Sequence, residues 1–176
     1  MELVLALEVI KHLRRELRRA GRREIGGLLM GEHLGGERFR VVRVTVQRSG
    51  GNQVCFIRNP RHHQGELEKF FEETGRDYTR FNYLGEWHSH PGFEPIPSGA
   101  DVQIMQSIVE DPEVGVHFLV LMVCRLGVTG RQRVIELTAS AFRAGTGAIA
   151  VPISCEPESA GQLVNLIRCA RKFLGL

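Results

Sequence analysis

Residues 116–125, VHFLVLMVCR, make a nearly continuous apolar run, too short to span a bilayer and lacking the strict alternation of a half-wet strand. Such a run suits a central strand covered on both faces. The covering material has to come from its neighbours, and these mix helical and extended patterns. Residues 8–20 place Val9, Leu13, Leu17 and Ala20 at helical spacing opposite a set of arginines and end at Gly21, after a short strand at 3–7. EIGGLLMGEHLGG is apolar and carries five glycines, so a buried strand with close backbone approach is expected there. ERFRVVRVTVQRS alternates, with Phe39, Val41 or Val42, Val44 and Val46 inward, and predicts a strand with one wet face.

A short strand is expected at 54–57, then a helix from Pro60 to Gly75 with Leu67, Phe70, Phe71 and Thr74 on one face. A strand from Tyr83 to Trp87 runs into His88, Ser89 and His90. Pro91, Pro95 and Pro97 stiffen the following loop, and Ser98 caps a helix carrying Val102, Ile104 or Met105, and Ile108. Strands at 132–142 and 148–153 precede an amphipathic helix at 159–174, with Leu163, Leu166, Ile167, Ala170 and Phe173 inward. This interleaving predicts an α/β fold with a mixed sheet flanked by helices. With 176 residues and no linker, repeat or low-complexity tract, residues 1–176 read as a single domain.

Charge excludes some partners. The 23 Lys and Arg against 20 Asp and Glu leave only +3. Arg14, Arg15, Arg18, Arg19, Arg22 and Arg23 do cluster, but with Glu16 and Glu24 interspersed they read as a solvated helix face, so no nucleic acid is expected. No apolar stretch approaches the roughly 20 residues of a membrane span, so no membrane partner is expected either. MELVLALEVIKHLRREL lacks a basic leader and a small-residue cleavage site, which predicts a cytoplasmic protein. Cys55, Cys124, Cys155 and Cys169 form no Cys-x-x-Cys pair and read as buried thiols.

The chemistry concentrates in GEWHSHPGFEPIPSGAD, residues 85–101. On a strand, His88 and His90 share a face while Ser89 points away. Asp101 lies one helical turn beyond Ser98 and can return to the same point as a third ligand. Two imidazoles, one carboxylate and an open fourth position describe a catalytic zinc site. Ser98-x-x-Asp101 also reads as a capping box, which many helices have without any chemistry. With 7 His, 7 Ser and 3 Asp in the chain, however, chance alone would produce this combination on the order of 2 times in 10,000.

His88-Ser89-His90-Pro91, followed by Ser98-Gly-Ala-Asp101, resembles the signature of the JAMM (MPN-plus) metallopeptidases, which include proteasomal and endosomal deubiquitinases. Glu24 in EIGGLLMG is similar to that family's upstream glutamate, and the resemblance spans about residues 1–140. It implies a cytidine-deaminase-like mixed sheet flanked by helices, and one Zn2+ per chain held by His88, His90 and Asp101. In this setting zinc lowers the pKa of a bound water to about 7. Glu24 then serves as general base and acid, and Ser98 donates to the oxyanion. Taken alone, Glu24 reads as a surface carboxylate or an ion-pair partner of Arg22 or Arg23. His63-Gln64 with Tyr83-Leu84-Gly85-Glu86-Trp87 resembles a bacterial subgroup found beside ubiquitin-like conjugation genes and in antiphage operons.

Trp87 reads as core packing, and His12, His33, His62, His63 and His117 lack ligand-spaced companions. The implied activity is an isopeptidase or peptidase acting after the C-terminal tail of a ubiquitin-like protein or its conjugate, with a conjugated antiphage enzyme among the expected partners. Trimming of a sulfur-carrier precursor and a catalytically silent scaffold are the competing expectations.

Overall fold

The computed structural model describes residues 1–48, 60–156 and, as backbone, 167–169. The chain runs β1 (Glu2–Leu5), α1 (Leu7–Ala20), β2 (Gly26–Gly35), β3 (Arg38–Val44), α2 (Pro60–Glu73), β4 (Phe81–Ser89), α3 (Gly99–Glu110), β5 (Leu119–Thr129), β6 (Gln132–Arg143), β7 (Gly147–Ala150), β8 (Ile153–Cys155) and β9 (Ile167–Cys169). The strands form one mixed sheet in the order β7-β6-β5-β4-β2-β3-β1-β8, with β9 also paired to β6. β4 and β5 are parallel, while β2 runs antiparallel to both β3 and β4.

The apolar run is central because each face of β5 has its own cover. Val120, Met122 and Cys124 pack with Val9, Ile10, Leu13 and Leu17 of α1. Leu119, Leu121 and Val123 pack with Met105 and Val109 of α3. Of the two residues offered for the α3 face, Met105 is buried and Ile104 is exposed. No described helix is long and apolar enough to cross a membrane.

The glycine-rich stretch is a buried strand with close approaches, as its composition implied. A Cβ on Gly27 would lie 2.0 Å from the Thr45 carbonyl oxygen. Gly85 has φ +144°, and a Cβ there would lie 2.0 Å from the carbonyl oxygen of Val120. Both positions let β4 and β2 lie flush beside their neighbours.

Several expectations are corrected. Residues 167–169, assigned by apolar spacing to a helix at 159–174, form a strand parallel to β6, since a free ladder edge competes well with a short helical pattern; the rest of that segment lies outside the described residues. The expected strand at 148–153 is two strands, separated at Val151-Pro152. Proline has no N–H to continue a ladder, and here the chain passes between the two edges of the sheet, Val151 N–H donating to Ala139 and the Pro152 carbonyl accepting from Leu3 N–H. Cys155, expected to be buried, is exposed at the end of edge strand β8, whereas Cys124 is buried. Cys55 and the strand at 54–57 lie outside the described residues.

Glu16 is not on a solvated face. It is 1% exposed, and its carboxylate is gripped by Arg15, Arg19 and Arg48. Arg15, Arg18, Arg19, Arg22 and Arg23 are themselves exposed, as the amphipathic pattern implied.

Candidate metal centre

The end of β4 presents His88 and His90 on the face that α3 covers, and Trp87 and Ser89 on the other. Trp87 is fully buried, its indole N–H donating to the Thr45 carbonyl at 2.9 Å. The Nε2 atoms of His88 and His90 are 3.1 Å apart, and Asp101 Oδ2 lies 3.6 Å from His88 Nε2. One ligand atom from each of the three residues lies within 4.8 Å of the others.

This donor set fits zinc. Zn–N and Zn–O bonds of about 2.0–2.1 Å at tetrahedral angles separate ligand atoms by about 3.3 Å, which the 3.1 and 3.6 Å spacings bracket. His90 Nδ1 is 3.1 Å from the Glu94 carbonyl. A carbonyl only accepts, so Nδ1 carries the proton and Nε2 keeps its lone pair. Burial lowers the His90 pKa, which favours the neutral, ligating imidazole.

Asp101 is placed by the first turn of α3. Ser98 Oγ accepts from Asp101 N–H at 3.2 Å, and Ser98 N–H donates to Asp101 Oδ2 at 2.7 Å, a complete capping box. Burial alone would raise the Asp101 pKa. The hydrogen bond and charge of His88, with the bonds from Ser98, outweigh it and hold the carboxyl well below the usual carboxylate range. In its cap bond the Ser98 hydroxyl is an acceptor, so that bond does not itself use the hydroxyl proton.

Glu24 is 4% exposed, and among the described residues none forms an ion pair with it. Its position follows from the β2–β4 ladder, in which Gly26 pairs with His88. Beyond that pair, Ser89 N–H donates to the Ile25 carbonyl at 2.8 Å and Ile25 N–H donates to Ser89 Oγ at 3.0 Å. Alternation then turns Glu24 to the face of His88 and His90. Burial raises its pKa, the nearby Asp101 charge adds to that, and His88 opposes it.

All five residues singled out from the sequence therefore come together on one face. Ser89 was read only as pointing away. It is 1% exposed and joins the Glu24 segment to the histidine strand; a serine between two histidines that share a strand face is the signal that could have found it. His63 is buried, with Nδ1 2.7 Å from Thr45 Oγ1, and His62 Nε2 is 3.4 Å from the Val46 carbonyl; both contacts are structural.

Comparison with known proteins gives a family. The model of the prokaryotic homologues of the JAB domain matches residues 6–136. A CD-NTase/cGAS isopeptidase from Vibrio cholerae is 36% identical over 80 residues, covering 44% of this chain and 49% of that protein. One from Enterobacter hormaechei is 30% identical over 114 residues, covering 63% and 60%. The 26S proteasome non-ATPase regulatory subunit 14 of Dictyostelium discoideum is 32% identical over 84 residues, covering 48% and 26%. The chain thus spans about half to three-fifths of the length of these isopeptidases. The solution structure of a Desulfitobacterium hafniense protein shares the fold, with TM-score 0.62 at 20% identity over 89% of this chain and 94% of that one.

Proposed function

This chain belongs to the prokaryotic homologues of the JAB domain, and from that membership and the geometry of its centre we propose that it is a zinc-dependent isopeptidase. The substrate is the bond after the C-terminal tail of a ubiquitin-like protein, joined to an enzyme of the CD-NTase/cGAS class on which the similar isopeptidases act by name. The observation that carries the reading is the convergence of His88 Nε2, His90 Nε2 and Asp101 Oδ2 beside a buried Glu24 that forms no ion pair among the described residues.

His88, His90 and Asp101 would hold the metal. Zinc, when bound there, supplies a Lewis acid for the scissile carbonyl and an attacking water with a pKa of about 7. Glu24 takes the proton that this water loses as its oxygen bonds to the carbonyl carbon, and passes it to the departing amine as the C–N bond breaks. Burial raises the Glu24 pKa, the direction that makes its carboxylate a better proton acceptor. Ser98 donates its hydroxyl proton to the carbonyl oxygen as negative charge develops there.

Purified protein incubated with conjugates from its own operon should release the free ubiquitin-like protein with an intact C-terminus, read by mass spectrometry. Wild-type protein should carry one zinc, lost in His88→Ala and Asp101→Ala. Zinc-free wild-type protein after careful preparation, or conjugates left intact by the zinc-loaded form, would sink the proposal.

A further inference from the structure

His90 reaches Ser98 through an exposed loop, in which Gly92, Phe93 and Glu94 face solvent and the Phe93 ring is 54% exposed. An exposed loop does not hold a carbonyl at a fixed angle without outside contacts. Yet the Glu94 carbonyl is the acceptor that sets the His90 ring. Within the loop that carbonyl also accepts from Ile96 N–H at 2.8 Å, and the contacts that anchor this turn to the sheet come from β5 and β6. Arg125 Nη1 donates to the Phe93 carbonyl at 2.8 Å and Nη2 to Glu94 Oε1 at 3.0 Å. Thr138 Oγ1 donates to the Pro95 carbonyl. Arg125 is itself aimed by Glu136, its cross-strand partner, which accepts from Nε at 2.7 Å. Gly127 makes room for that carboxylate, since a Cβ there would lie 2.5 Å from Glu136 Cδ.

We propose that Arg125 is a positioning residue for the metal centre, holding the 93–94 backbone so that His90 keeps its Nδ1–H tautomer and presents Nε2 to the ion. The proposal rests on the reading of His90 as a ligand. All three donor directions of the guanidinium fork are used, so a lysine cannot reproduce the arrangement. Without Arg125 the Glu94 carbonyl drifts, the ring samples the Nε2–H tautomer, and that form cannot ligate through Nε2.

The test reads the tautomer and the metal separately. Long-range 1H–15N spectra of zinc-free protein give the tautomer of His90, and competition with a chelating dye gives zinc affinity. Wild type should show the Nδ1–H form. Arg125→Ala should show mixed tautomers and a zinc affinity lower by roughly 10–100-fold, the usual range for losing a group that orients a ligand. Arg125→Lys should recover little of it. Glu94→Ala removes one anchor from a side chain that is 68% exposed, so it should fold and show a smaller loss in the same direction. If Arg125→Ala is folded with the wild-type tautomer and an affinity within about twofold of wild type, the proposal is overturned. Should that variant not fold, the same outcome in Glu94→Ala overturns it. Wild-type protein that binds no zinc defeats the metal reading instead, and is distinguishable because the tautomer is read without metal.

Discussion

Glu16 and Glu24 stand eight residues apart in one arginine-rich stretch, and both are buried, at 1% and 4% exposure. Their surroundings are opposite. Glu16 is held by Arg15, Arg19 and Arg48, and its pKa is lowered. Glu24 forms no ion pair with any described residue, faces the His88 side of the sheet, and its pKa is raised. A paired buried carboxylate ties elements together, whereas one kept without a cation retains the proton affinity that acid–base chemistry needs.

The largest expected effect separates the two by rate. Glu24→Gln keeps the shape and removes the base, so turnover of a conjugate should fall by roughly a hundredfold or more while zinc content and substrate affinity persist. Glu16→Gln should leave turnover per folded molecule unchanged. Equal rates in the two variants, measured on zinc-loaded protein, would dissolve the contrast.

Ser98 sharpens the comparison because it has both a structural partner and a proposed chemical one. As oxyanion donor, Ser98→Ala should cost kcat about a hundredfold with little change in KM. As cap, it should also cost about 1 kcal/mol of stability. Ser98→Gly should recover most of the stability and none of the rate. A glycine variant as active as wild type would leave the hydroxyl serving only the helix.

What the sequence made legible follows the range of the interactions. The pairs His88/His90 and Ser98/Asp101 are set by strand and helix periods over two or three residues, so they could be read directly and the structure brings them together. The central strand was legible because burial on both faces leaves no polar alternation. Glu16 was misread because its partner Arg48 is 32 residues away, so local pattern shows only a charge among charges. Glu24 owes its place to Ile25–Ser89 bonding across 64 residues, and only the metal motif pointed to it. Residues 167–169 were misassigned for a related reason: an edge of β6 offers hydrogen bonds that apolar spacing cannot reveal.

The smallest expected effect is the stability of zinc-free protein against pH. Burial alone would raise the pKa of Glu16; the hydrogen bond and charge of Arg48, with the charge of Arg19, outweigh it and leave the folded value below the unfolded one of about 4.3. A carboxylate depressed in this way contributes stability that is fully present above the unfolded value and is lost as pH falls through the folded one. Glu32, also lowered between Arg80 and Arg40, contributes with the same sign. Glu24 has the opposite sign: its raised pKa costs stability at neutral pH, and the cost fades as acid protonates it, disappearing below about 4.3. Glu16→Gln should therefore lower stability at pH 7 by about 1.5–3 kcal/mol, the range for hydrogen bonds to charged groups. The loss stays below that of a fully buried broken pair because Arg15, Arg19 and Arg48 are more than half exposed and return to water. The same variant should flatten the fall in stability below pH 4.3, with Glu32 keeping part of the slope, whereas Glu24→Gln should raise stability at pH 7 and abolish the gain that protonation of Glu24 gives as pH falls toward about 4.3. Urea unfolding of both variants between pH 3 and 7 reads the two signs directly, and slopes of the same sign would show that the two buried carboxylates do not differ as their surroundings imply.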